Sequence, residues 1–189
     1  MPLSHHSLSE REAATLACVL ARLIPADESG PGATEAGVIN FIDGALAGPM
    51  RQQRAGYAEG LTALDRLAQA LAGAPFGELA GETQDEVLRA VEALPQDGPG
   101  AALRAWFEMV LGDCIDGFLS DPRYGGNAGA AGWRLVGYPG PSLVWTEEEQ
   151  QLDQRIPPRP GMADGLARPG GMPGSGAPGE PEPPGAANG

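Results

Sequence analysis

The 189-residue chain contains no lysine: all twelve of its cations are arginine, against 25 acidic residues, for a net charge of −13. Chemistry that needs an ammonium is thereby excluded, whether a Schiff base, a P-loop or a lysine general base. A surface that tracks phosphates is excluded with it, because an acidic protein repels the backbone whose neutralisation supplies most nucleic-acid affinity. Anionic membrane surfaces are disfavoured on the same ground. Histidine and cysteine are as scarce, with His5, His6, Cys18 and Cys114 the full set. They make no haem-attachment motif, no cysteine quartet for an iron–sulfur cluster and no closed zinc site, so no cofactor is expected in this chain. Both cysteines fall on apolar helical faces and read as buried thiols, although an oxidising compartment would allow one bridge. Long apolar runs are missing too. The longest, AATLACVLARLIPA, is interrupted by Arg22 and Pro25, short of the roughly 20 residues a bilayer span needs. The preceding MPLSHHSLSERE has neither a cationic n-region nor a twin arginine, so the sequence as written carries no export signal and points to the cytoplasm.

What is present divides into two parts. Residues 1–156 read as one helical domain, a length sufficient for an independent core. From Pro157 to Gly189 about half the residues are proline or glycine and none is aromatic, so this part is expected to be a disordered tail that cannot offset its ordering entropy. All but one unit of the net negative charge belongs to the body. Within the tail, Gly174–Gly179 spells GSGAPG, but no strand precedes it and no helix follows it, so the dinucleotide-binding pattern is coincidental.

The body predicts an all-α fold, an irregular bundle of about five helices, because its apolar residues recur at three and four rather than two. Ser9 and Glu12 form a capping box that opens a helix carrying Leu16, Val19, Leu20, Leu23 and Ile24 and closed by Pro25. A second helix is expected from near Glu35 through Val38, Phe41, Ile42 and Leu46 to Gly48. The third carries Tyr57, Leu61, Leu64, Ala68 and Leu71, with Gly56 and Gly60 placed to admit a close neighbouring backbone. Thr83 and Glu86 suggest a second capping box ahead of Val87, Leu88, Val91 and Leu94. The fifth, Ala101 to Leu119, is apolar over a broad arc that includes Leu103, Trp106, Phe107, Val110, Leu111, Cys114, Ile115 and Phe118, and is expected to be central. A short extended piece is allowed within 134–145.

Few groups offer catalysis. The only imidazoles are in the first six residues, which argues against a triad. Asp113 and Asp116 share a helix face with Asp121 close behind, a grouping that could support a carboxylate hydrolase or a solvated, arginine-paired edge. A calcium loop lacks its ligand ladder and glycine. The acidic EEEQQLD after Thr146 reads as a solvated helix start.

The segment Ser120–Pro141, SDPRYGGNAGAAGWRLVGYPGP, has too many glycines for a helix or stable strand, yet holds Tyr124, Trp133 and Tyr138 among only ten aromatics in the chain. Disordered linkers rarely concentrate rings in this way. An ordered loop packed on its own bundle and a loop inserted into a partner are both open readings. A phosphate-cradling loop would need a lysine and a preceding strand.

DGFLSDP followed by DPRYGGN, GW and GYPG, together with LIPADESGPGATEAGVINFID near the start, resembles the gluconate 2-dehydrogenase subunit 3 family, the small gamma subunit of flavin-dependent sugar and polyol dehydrogenases. The resemblance spans about residues 8–141. It implies a non-catalytic, cofactor-free accessory subunit bound to a large FAD-containing oxidoreductase of the glucose-methanol-choline class, often with a cytochrome c subunit. Family positions fall on Pro25, Asp27, Gly32, Ala33, Glu35 and Gly37. In the second motif they fall on Asp121, Pro122, Tyr124, Gly125, Gly126, Asn127, Gly132, Trp133, Gly137, Tyr138 and Pro139. No position is catalytic by resemblance; Asp121, Pro122, Tyr124, Gly125, Gly126, Asn127, Trp133, Tyr138 and Pro139 are the expected partner-binding residues. Small subunits of this family commonly carry a twin-arginine signal that exports the large one, so a periplasmic location would follow if this chain travels with its partner.

Overall fold

The computed structural model describes residues 7–141, 146–148 and 150–152. Six helices are present among them: α1 (Glu10–Leu23), α2 (Val38–Ala47), α3 (Arg54–Ala72), α4 (Gly81–Glu92), α5 (Ala101–Leu119) and α6 (Ala131–Val136), with no strand. The proline- and glycine-rich segment 157–189 and both histidines lie outside the described residues. Of the stretch 134–145, where the sequence allows a short extended piece, residues 134–136 belong to α6 and no strand forms in 137–141, while 142–145 lie outside the described residues.

Each helix contributes one buried stripe to a single core. Leu16, Val19 and Leu20 of α1 meet Val38, Ile42 and Leu46 of α2, Tyr57, Leu61 and Leu64 of α3, Val87 and Val91 of α4, and Val110 and Phe118 of α5. Burying a side chain of this size contributes about 1.5–3 kcal/mol. α5 is the hub, packing against each of α1 to α4 and against α6. Leu71 departs from the expected stripe and is 59% exposed; it lies in the last turn of α3, one residue before the helix ends.

Polar contacts fix how the helices meet. The expected box at α1 forms: Ser9 Oγ accepts from Glu12 N, and Glu12 Oε2 accepts from Ser9 N at 2.8 Å. The same carboxylate takes Arg54 Nη2 at 2.6 Å, joining α1 to α3. Buried Asp43 of α2 accepts from Ser7 N and Leu8 N and so holds the entering chain. Arg22 grips Asp85 with two bonds of 2.7 Å, joining α1 to α4. The turn between α3 and α4 buries Phe76, whose N–H donates to Asp65 and whose carbonyl accepts from Gln84.

Three starts and one close approach differ from expectation. α2 begins three residues after Glu35, because that carboxylate accepts from Gly32 N in the preceding turn and Gly37, at φ 69°, ends the turn in a left-handed conformation. α4 begins at Gly81, so Thr83 and Glu86 lie within it and no side chain caps it. A sixth helix forms inside the glycine-rich segment. On α3, the surface at Gly56 is open, and Gly60 admits the Trp106 indole rather than a backbone: a Cβ there would lie 2.2 Å from the ring. Both cysteines are free thiols; Cys114 is buried, its pKa pushed up to about 12 by desolvation, whereas Cys18 is half-buried.

Candidate partner-binding site

The aromatic and glycine-rich segment is an ordered cap over the C-terminal end of α5. A helix end leaves carbonyls without intrahelical partners, and here the segment and the helix's own end supply them. Ser120 Oγ donates to Gly117 O at 3.2 Å, Trp133 Nε1 to Leu119 O at 2.7 Å, and Asn127 Nδ2 to Ser120 O at 2.7 Å. Asn127 is fully buried at φ 49°, and its Oδ1 accepts from Gly132 N at 2.8 Å. One amide thus ties the α5 terminus to the start of α6. Close approach explains two of the glycines: a Cβ at Gly126 would lie 2.2 Å from Gly117 O, and one at Gly132 would lie 2.1 Å from Phe118 O.

The first motif is the other half of the same structure. Ala33 N donates to Ile24 O, Val38 N to Ala33 O, and Ala128 N to Ala36 O at 2.9 Å, so the N-terminal turn and the C-terminal cap share a hydrogen bond. Gly125 lies against the Asn40 backbone, while Asp27 closes its own turn by accepting from Ser29 N.

The nine residues expected at a partner surface separate by exposure. Gly126, Asn127 and Trp133 are buried in the cap, and Pro122 and Pro139 are half-buried. Asp121 caps the following turn, accepting from Arg123 N at 3.0 Å, with Arg123 Nε 3.7 Å away. The rings of Tyr124 (57% exposed) and Tyr138 (41%) face outward with Gly125. Arg123 covers one face of Tyr124 at 4.8 Å, and Tyr138 stands edge-on to Trp133. Four further exposed apolar side chains belong to the same stretch: Ile115, which the sequence placed on the apolar arc of α5 but which is 44% exposed, and Leu119, Leu135 and Val136, which sequence reasoning did not single out. Six of the eight large apolar side chains exposed among the described residues therefore belong to residues 115–138.

A family model described as gluconate 2-dehydrogenase subunit 3 matches residues 10–140. The chain belongs to that family. No curated protein and no solved structure matches it significantly. Membership makes it a subunit of a dehydrogenase complex, which implies partner subunits. The matched region ends with the cap and takes in both motifs, so the family resemblance read from the sequence holds.

The carboxylates considered for hydrolysis are not assembled into one site. Asp113 is half-buried on α5 and accepts a 2.5 Å hydrogen bond from Tyr57 of α3. Burial raises its pKa, the Tyr57 bond opposes that rise, and the like charge of Asp116 adds to it. Burial, and then Asp113, push Tyr57 upward as well. Asp116 is exposed, and Asp121 is engaged in its own turn. Among the described residues no group of three histidines, cysteines or carboxylates is arranged to hold a metal, and no helix is long and apolar enough to cross a membrane.

Proposed function

We propose that this subunit is a non-catalytic partner of a large FAD-containing dehydrogenase of the glucose-methanol-choline class, which it binds and stabilises through the face built by the α5 terminus and α6. The flavin, and with it the oxidation of a sugar, sugar acid or polyol, belongs to the large subunit. A cytochrome c subunit that removes the electrons completes the complex.

The supporting observation is the concentration of exposed Tyr124, Leu135, Val136 and Tyr138 with Ile115 and Leu119 in one stretch of an acidic chain. Large apolar groups exposed together mark a surface that another protein covers, and tyrosine beside arginine is the composition of interface anchors. The rigid cap beneath them lowers the ordering cost of association, since Trp133 and Asn127 already hold the loop in place. Affinity purification from the native host, followed by a visible absorption spectrum, tests this reading. A co-purifying large protein with an oxidised-flavin spectrum that bleaches on adding a sugar or polyol is expected; a colourless, folded, lone chain overturns it.

A further inference from the structure

A second feature lies away from the α5–α6 face. Between α3 and α5 runs a cleft of about 380 Å³ whose walls are made by side chains too small to fill it: Gly56, Gly60 and Ala63 on one side, Ala102 and Ala105 on the other. The Trp106 indole forms part of its lining, seated directly on Gly60. Trp106 is buried, and among the described residues its Nε1 is the one buried side-chain polar atom that lacks a hydrogen-bond partner. An indole N–H can only donate, and a buried donor is costly to leave unpaired.

We propose that this cleft binds a small, uncharged, largely apolar molecule carrying one hydrogen-bond acceptor, a carbonyl or ether oxygen, which Trp106 Nε1–H recognises. The volume lies in the range of small-molecule sites, and an apolar lining with one polar group to fix orientation is their usual chemistry. Glu59 supplies the only ionisable side chain of the lining, which disfavours an anion. A docked protein segment fits less well. The α3 wall from Gly56 to Ala63 is about 10 Å long at the helical rise, and none of the exposed large apolar side chains borders the cleft. The feature is a short groove, open to solvent along Gly56, Ala102 and Ala105. Trp106 Nε1 is closed to solvent, so an acceptor reaches it only as a lining side chain moves; Leu103 and Met109 are the long, flexible apolar members of the lining.

The test is an NMR titration of the isotopically labelled full chain, whose three tryptophans give three indole N–H resonances. Trp133→Phe and Trp145→Phe assign the other two. The probes are 2-acetylnaphthalene and 2-ethylnaphthalene, similar in shape, of which only the ketone has an acceptor. A saturable shift of the Trp106 indole resonance is expected, with the ketone binding at least tenfold more tightly than the hydrocarbon. Ala105→Leu, at an exposed position on the wall, should weaken the ketone at least tenfold while leaving the helical circular dichroism unchanged. Absence of a saturable shift, equal affinity for the two probes, or binding indifferent to Ala105→Leu would each overturn the proposal.

Discussion

Trp133 and Tyr138 meet edge to face, ring centroids 5.1 Å apart at 88°, with the first ring buried and the second 41% exposed. Under the proposed function, the pair divides support from recognition. Trp133→Ala removes a buried ring and the Nε1 bond to Leu119 O, and is expected to cost the isolated subunit about 3–5 kcal/mol. Tyr138→Ala should cost it about 1 kcal/mol or less, yet weaken the complex by about 2 kcal/mol or more if the ring anchors the interface. Urea unfolding of the free chain and binding to the large subunit separate the two.

Gly60 and Gly56 provide a matched comparison on one helix. Gly60→Ala drives a methyl into the Trp106 ring and is expected to destabilise by about 1–3 kcal/mol. Gly56→Ala meets nothing within 4 Å and should stabilise by about 1 kcal/mol through helix propensity. Opposite movements of the two urea midpoints are the expected result; equal ones would refute the packing described for α3 and α5.

Asn127→Asp tests the cap. The change turns the Nδ2 donor into an acceptor facing Ser120 O, so two acceptors oppose one another in a buried place. A loss of about 2–3 kcal/mol is expected from the lost bond and the uncompensated burial. Hydrogen exchange should rise in residues 120–138 while the α3–α4 region keeps its protection.

The carboxylates Asp113 and Asp85 are expected to act on stability with opposite sign. Asp113 titrates higher in the folded chain than in the unfolded one, so its contribution is full below the unfolded value, about 3.9, and is lost as pH rises through the folded one. Arg22 lowers the pKa of Asp85 by direct hydrogen bonding, so that contribution is present above the unfolded value and is lost as pH falls. Asp113→Asn should therefore improve stability at pH 7 relative to pH 4, and Asp85→Asn should reduce it. Urea midpoints between pH 3 and pH 7 check both directions.

Periodicity made most of the bundle legible. The capping box of α1 is local chemistry, and α5 spans the expected residues because its apolar arc is long and uninterrupted. The start of α4 was not legible, because no side chain caps it and Thr83 mimics a cap from inside. α6 was hidden for a different reason: glycine usually signals a loop, whereas Gly126 and Gly132 are required by contact with the carbonyls of Gly117 and Phe118, to which the chain folds back. At the site, the sequence pointed to the aromatic loop. It did not tell buried Trp133 from outward Tyr124, nor reveal the exposure of Ile115, Leu119, Leu135 and Val136. Those distinctions depend on which face of α5 the loop covers. The Tyr57–Asp113 bond likewise joins residues 56 positions apart, a relationship that neither helix's pattern contains.

The hydrogen bond from Ala128 N to Ala36 O has a consequence for the order of synthesis. The N-terminal turn emerges first, but the strand of chain that completes it is made some ninety residues later. Until then Ala36 O, the open end of α5 and the face of Phe41 wait for their covering. Contacts of such sequence separation close slowly, so a nascent chain that stops before Asn127 presents an unfinished surface to chaperones and proteases. Pulse-labelled chains ending at residue 120 should be degraded much faster than chains ending at residue 141, which would make the cap a checkpoint on completeness.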